Sequence, residues 1–240
     1  MKVEARPALQ THRSETVEVA KHRIHGSDFV GAYVAASEKF VFCYRGIERR
    51  MKELISQTLS AEPVELTIAD SHLIGIFARA NSNGIVLSNL TTDDELSYLR
   101  SLGLDLKMGV VESRLNAIGN NILANDKIAL INSEYSSEEV RSIEDILDVE
   151  AMKAQPGGFK TVGANNILTN EGFVLNNRST ENEKQTLDSA CGFQSVLSTA
   201  NTGSLAIGLA SAANSNGIVI GEATTGYELN RILESLEKRQ

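Results

Sequence analysis

The side chains in this sequence best able to do covalent chemistry are two cysteines, Cys43 and Cys191, and four histidines, His12, His22, His25 and His72. A thiolate beside an imidazole would make a nucleophile. Their positions oppose that chemistry. Cys43 follows Val41-Phe42 in an apolar strand-like run, and Cys191 precedes Gly192 near the expected end of a helix, both places where a thiol fills core space. All four histidines lie in the first third of the chain, so a Cys–His pair would need one of them to cross the fold. The cysteines lack CxxC spacing, which argues against a disulfide scaffold or zinc site and for a reducing cytoplasm. There is no glycine-rich phosphate loop ending in Lys-Ser or Lys-Thr and no evident ligand cluster. The expectation is no cofactor and no metal.

Charge narrows the partners. Lys and Arg number 23 against 31 Asp and Glu, a net charge of −8, so the average field repels phosphate backbones and attracts basic surfaces. Basic residues gather only at Lys21-His22-Arg23, Arg49-Arg50 and Lys238-Arg239, which read as solvated faces. With no Trp and five Tyr, stacking platforms for RNA bases are scarce, so RNA should be a minor contact and DNA none. No run approaches the roughly 20 apolar residues that span a bilayer, and the first residues lack a secretory apolar stretch. We expect no membrane partner and a cytoplasmic location.

The elements that would position any site show themselves through glycines. Gly31, Gly75, Gly119, Gly163 and Gly208 each follow Val or Ile, at spacings of 44, 44, 44 and 45. A fixed period of this size signals a repeat architecture. Ala80-Asn81-Ser82-Asn83-Gly84-Ile85-Val86 recurs as Ala213-Asn214-Ser215-Asn216-Gly217-Ile218-Val219. Thr169-Asn170-Glu171-Gly172, Ser37-Glu38-Lys39 and Asn125-Asp126-Lys127 hold the same place in the other copies. Asn and Gly tolerate left-handed backbone, so these segments read as hairpin turns. They are flanked by short apolar strands such as Ile76 to Ala80 and Ile85 to Leu87. Val64 to Ile68 alternates as a further strand ahead of its glycine.

Seventeen residues after four of the glycines stand Thr92, Ser136, Thr180 and Thr225, each followed three residues later by Glu95, Glu139, Glu183 or Glu228. This is the capping box, which starts a helix. Repeat one has Glu48 and Met51 instead and loses that cap. The helices behind place apolar residues three and four apart, as in Leu96, Leu99 and Leu102, or Val140, Ile143 and Leu147, or Leu229, Ile232 and Leu236. Repeat four is weaker, with Leu187, Ala190 and Cys191, and repeat one relies on Met51, Leu54, Ile55 and Leu59.

A unit of this size cannot bury both a sheet face and a helix stripe alone. Five units form either an open solenoid, with polar end caps, or a ring. The last unit is not polar, and its small-sided Gly208 to Ala213 suits backbones crowding a common axis. The expected architecture is therefore an α/β, five-bladed β/α propeller of five ~44-residue repeats closed with pseudo-fivefold symmetry. Its bounds are a leader over 1–16, flexible or adding a short strand, and one domain over 17–240. The repeats run approximately over 17–60, 61–103, 104–148, 149–192 and 193–240.

Arg114-Leu115-Asn116-Ala117-Ile118-Gly119-Asn120, Asn125 to Leu130, Asn201-Thr202-Gly203-Ser204 and Thr91 to Leu96 closely resemble the translation initiation factor 6 family, over nearly the whole chain from about Ile24. The resemblance implies the pentein fold. It also implies a non-enzymatic factor that binds the intersubunit face of the large ribosomal subunit, beside the sarcin-ricin loop and a basic ribosomal protein, and prevents association with the small subunit. A monomer is implied, with release by a separate GTPase and an accessory factor. The ending at Gln240 leans archaeal. From the matching motifs, ribosome contact is carried to Arg114, Asn116 and Asn120, with Asn201 and Thr202 in the equivalent loop of repeat five. The rivals are a guanidine-modifying enzyme of the same fold using a Cys nucleophile, and an RNA-binding module.

Overall fold

In the computed structural model, residues 17–237 are described. The expected leader over 1–16, with His12, and the pair Lys238 and Arg239 lie outside them. Fifteen strands follow in chain order. Those of the first half are Glu18–His22 (β1), Val34–Ala36 (β2), Phe40–Tyr44 (β3), Glu62–Leu66 (β4), Ala78–Ala80 (β5), Gly84–Ser88 (β6) and Lys107–Val111 (β7). The second half supplies Ile122–Ala124 (β8), Ile128–Asn132 (β9), Glu150–Ala154 (β10), Ile167–Leu168 (β11), Phe173–Asn176 (β12), Val196–Ser198 (β13), Ser211–Ala213 (β14) and Gly217–Gly221 (β15).

They form five three-stranded sheets, ordered β2-β3-β4, β5-β6-β7, β8-β9-β10, β11-β12-β13 and β14-β15-β1. Within each, a short hairpin gives an antiparallel pair and a third strand joins in parallel. In the first four sheets a helix separates that third strand from the hairpin in sequence, as a parallel crossover requires. The third strand comes from the next sequence repeat, so the sheets straddle the repeat boundaries. In the fifth sheet it comes from the start of the chain. β1 runs parallel to β15 in register from Glu18 opposite Gly217 to His22 opposite Gly221, and the five blades close as the sequence anticipates.

At the axis the five repeat glycines meet one another in a cycle. A Cβ built on Gly75 would lie 1.9 Å from the Gly31 carbonyl oxygen, on Gly119 1.8 Å from that of Gly75, and on Gly163 2.1 Å from that of Gly119. The cycle ends with Gly208 at 2.0 Å from the Gly163 oxygen and Gly31 at 2.3 Å from the Gly208 oxygen. Only hydrogen fits there. The glycines sit in single helical turns, Val30–Ala32, Ile74–Phe77, Ile118–Asn121, Val162–Asn165 and Ile207–Ala210. The run read as a strand from Ile76, and the small-sided segment from Gly208, therefore begin as helix and become strand only at Ala78 and Ser211.

The hairpin turns also depart from their sequence reading. Gly84, Gly172 and Gly217 are absent from the left-handed backbone positions. They are needed because a neighbouring backbone is too close, a Cβ on Gly84 falling 2.0 Å from the Ile146 oxygen and on Gly217 2.0 Å from the Thr58 oxygen. The turns are held instead by a buried polar side chain, an amide in repeats two, three and five and a hydroxyl in repeats one and four. Asn81 Oδ1 accepts from the Asn83 and Gly84 N–H groups, and its Nδ2 donates to the Asn125 and Leu147 carbonyls.

Five long helices, Arg49–Leu59, Asp93–Ser101, Ser137–Leu147, Glu181–Cys191 and Gly226–Leu236, bury their apolar stripes. Met51, Ile55 and Leu59, or Ile143 and Leu147, or Ile232 and Leu236, are each at most 9% exposed. Leu102 is an exception at 39%, because Asp93–Ser101 ends before it and leaves it at the C-cap.

Candidate functional site

Each repeat presents two ends. At one lie the hairpin turns; at the other lie the loop before the repeat glycine and the single helical turn that carries it, since the short strand running from that helical turn ends in the hairpin. At the turn end, residues one repeat apart join hands. The Ser82 N–H and hydroxyl donate to Asp126, the Asp126 N–H and Asn170 Nδ2 link those two, and the Ser215 N–H and hydroxyl donate to Glu38. Burial raises the Glu38 carboxyl above the usual carboxylate range, against the bonds from Ser215. The narrow axial channel contains Arg79, whose Nη2 donates to the Gly119 carbonyl at 2.8 Å. Burial lowers its pKa to about 10. Its Nε is buried without a hydrogen-bond partner among the described residues.

The thiols are poorly suited to nucleophilic work. Cys43 Sγ lies 3.7 Å from the Val64 carbonyl oxygen, and burial pushes both Cys43 and Cys191 up to about 12. Both stay protonated at neutral pH. Among the described residues no three His, Cys, Asp or Glu side chains converge as metal ligands, and no helix is long and apolar enough to cross a membrane.

The loop end is organised by the capping boxes. Thr92, Ser136, Thr180 and Thr225 each accept from the N–H of the Glu three residues on, and each Glu accepts from the cap N–H. The same carboxylates also reach the loop ahead of their own repeat's glycine. Glu95 takes the Ala69 and Asp70 N–H groups at 3.0 Å each, and Glu228 takes those of Thr202 and Gly203 at 3.2 and 2.7 Å. The nearby Ser113 hydroxyl helps to lower the Glu139 carboxyl, and the Gly157 backbone that of Glu183.

Glu228 is the most deeply set, 5% exposed. Burial pushes its carboxyl up, but donation from the Thr225 N–H, the Thr199 hydroxyl, the Gly203 N–H and the Thr225 hydroxyl together bring it down to about 2. A depressed carboxyl stabilises the fold above its unfolded pKa and loses that stabilisation as pH falls through the folded value. From 4.5 to about 2, this amounts to about 3 kcal/mol. Glu228→Gln is therefore expected to lower stability at pH 7 by about that amount. It should also remove the part of the acid sensitivity that lies between the two values. Denaturant melts at pH 7, 4.5 and 3 check this; parallel pH dependence in both proteins would refute it.

Three sequence-selected residues lie together at the loop end of repeat three. Arg114 is exposed and Asn116 half-buried. Among the described residues Arg114 makes no ion pair with Glu112, though its charge lowers the carboxyls of Glu134 and Glu139 as a minor influence. Asn120 is half-buried on its helical turn, and its Oδ1 is buried without a hydrogen-bond partner among the described residues. The other two lie at the loop end of repeat five. Asn201 is engaged internally, its Nδ2 donating to the Asp28 carbonyl and its Oδ1 accepting from the Thr224 hydroxyl. Thr202 is exposed and donates its hydroxyl to the Asn201 carbonyl.

Sequence reading missed a second group at this end. His25, Tyr44 and His72 converge with ring centroids 5.0, 5.4 and 4.6 Å apart. Their signal lay in the register, since His72 follows His25 by about one repeat, but lone histidines in a polar stretch do not announce a cluster.

The eIF-6 family model matches residues 19–235. Translation initiation factor 6 of Thermococcus onnurineus is 33% identical over 224 residues, covering 92% of this chain and 98% of that one. The protein of the same name from Picrophilus torridus is 36% identical over 219 residues, 91% and 99% of the two chains, and that of Saccharolobus islandicus 35% over 214, 89% and 96%.

Proposed function

The chain belongs to the eIF-6 family, and from that premise we propose that it is a translation factor that binds the large ribosomal subunit and keeps the small subunit from joining. The observation that carries this reading is the extent of the match, residues 19–235, which takes in all five blades of the pentein ring and the strand that closes it. Anti-association needs occupancy and bulk, not a reacting group. The protein is a binding factor and not an enzyme.

The finer reading is that the loop end faces the subunit. Arg114, Asn116 and Asn120 would make the contact, with Asn201 and Thr202 on the same side. A net charge of −8 suits a basic ribosomal protein beside the sarcin-ricin loop better than bare RNA, leaving rRNA a smaller share. In this reading the factor acts in the cytoplasm as a monomer, with residues 17–240 as one domain, and a separate GTPase with an accessory factor releases it.

Sedimentation of purified large and small subunits tests the function. The protein should comigrate with the large subunit and reduce joined particles; comigration with neither, or undisturbed joining, sinks the proposal. For the finer reading, Asn120→Ala combined with Arg114→Glu should weaken comigration roughly tenfold or more. Thermal stability should change little, because neither side chain makes a side-chain hydrogen bond or ion pair among the described residues. Unchanged comigration would move the interface elsewhere on the ring.

A further inference from the structure

The pseudo-fivefold symmetry breaks in repeat one with chemical consequences. In repeat two, Ala69 and Asp70 have left-handed backbone, φ 52° and 51°, so their successive N–H groups converge into a concavity that holds an anion. The anion is the Glu95 carboxylate. In repeat five, Thr202 and Gly203, φ 60° and 99°, hold the Glu228 carboxylate in the same way. One repeat before Ala69 and Asp70 stand His25 and Gly26, φ 51° and 75°, with the same left-handed backbone. One repeat before Glu95 stands Met51. A thioether cannot serve as that anion, and among the described residues no carboxylate is hydrogen-bonded to the His25 or Gly26 N–H.

The surroundings of this concavity have changed with it. A cleft of about 540 Å³ opens between the loop and the start of Arg49–Leu59. Arg50 on its wall is exposed and forms no ion pair among the described residues. Arg45 stacks on Tyr98, its guanidinium carbon 4.2 Å from the ring centroid. Arg23 is partly neutralised by Asp28 at 3.0 Å and Glu222 at 3.5 Å, and Glu48 is the carboxylate on the cleft wall. The His25, Tyr44 and His72 rings line the same cleft, with the two imidazoles 14° from parallel.

We propose that this cleft binds an unpaired RNA nucleotide, with a phosphate oxygen on the His25 and Gly26 N–H groups, Arg50 supplying charge, and the base stacked on the exposed imidazole rings of His25 and His72, which the buried Tyr44 ring backs. An acidic protein side chain would use the N–H groups and the arginine but leave the ring cluster idle, whereas a nucleotide uses all three. The inference rests on the ribosome-binding reading, because the cleft opens at the same end of the ring as Arg114 and Asn120, and it assigns rRNA contact to repeat one.

Fluorescence anisotropy of the full chain with a labelled single-stranded RNA decamer of mixed sequence tests it, with the matching duplex and a decamer of glutamate as comparison probes. The single strand should bind best. His72→Ala should weaken it roughly tenfold, and Arg50→Ala should flatten the dependence of log K on log salt by about 0.7. Met51→Glu, which restores the carboxylate of the other repeats, should abolish binding; Lys127→Glu, at the turn end, should leave it unchanged. Arg50→Glu, a change on the surface, repeats the test without touching the core. Absence of RNA binding, indifference to the Arg50 and His72 changes, or tighter binding of the glutamate decamer would each overturn the proposal. The sedimentation result for the unsubstituted chain is independent. If that chain comigrates with the large subunit while the RNA arm fails, only the nucleotide site falls.

Discussion

Gly119→Ala is expected to leave the chain unable to complete its ring, with a loss of at least about 4 kcal/mol and recovery mainly as aggregate. The added methyl would meet the Gly75 carbonyl oxygen at 1.8 Å and the Ala78 carbonyl oxygen at 2.7 Å. Both are backbone atoms that no rotamer change can move. Relief requires spreading two blades, and in a closed ring that spread is passed to all five. Gly103→Ala is the control. Gly103 has φ +63° and nothing within 4 Å of a Cβ, so only the ordinary strain of left-handed backbone applies, about 1 kcal/mol. Denaturant melts of the two variants give the comparison. Equal losses would show that axial crowding does not govern the fold.

The second large effect is expected from Asn214→Leu, which keeps the side-chain size and removes its polarity. Asn214 is 2% exposed. Its Nδ2 donates to the Ser37 and Leu59 carbonyls at 2.9 and 2.8 Å, and its Oδ1 accepts from the Asn216 and Gly217 N–H groups at 3.0 and 3.2 Å. Four backbone groups thus lose this partner in a buried site, the Leu59 carbonyl keeping only the longer bond from Asn216. At 1–3 kcal/mol for each buried group left unsatisfied, with some relaxation, a loss of about 4 kcal/mol follows. The bonds join the last repeat to the first, so the variant should also open the β1–β15 seam and speed hydrogen exchange at β15. Asn216→Ala, losing a half-buried contact of 3.4 Å to the Leu59 carbonyl, should cost under about 1 kcal/mol. A melting temperature for Asn214→Leu within a few degrees of the parent would remove the amide from the account of closure.

Much of the architecture could be read before any coordinates because it repeats. Spacing located the glycines, and hydroxyl–carboxylate pairs located four helix starts, since a cap is satisfied within four residues of chain. Other readings failed where the partner atom lies far along the sequence. Gly84 and Gly217 read as left-handed turn residues because local propensity offers only that use of glycine. Their actual role is to admit a helix from the next repeat. Sequence alone also gave no sign that Asn201, selected for ribosome contact, holds the Asp28 carbonyl 173 residues away. The candidate site divides the same way. Arg114, Asn116 and Asn120 form one short motif and could be proposed together. The cleft of repeat one joins His25, Tyr44, Arg50 and His72 from separate elements, and only the absence of a capping Glu at Met51 marked the place.

By itself the sequence determined the number of repeats, the helix starts, the apolar stripes and the need for copies to cover one another, because these follow from periodicity and from bonds closed within a few residues. Tertiary structure alone decided that β1 completes the sheet of the last repeat. It also decided which glycines face which carbonyls, and that the left-handed loop of repeat one keeps its N–H groups clear of an internal carboxylate. The physical reason is that such choices depend on which backbone arrives alongside. In a ring, that neighbour is supplied by another repeat, up to the whole length of the chain away.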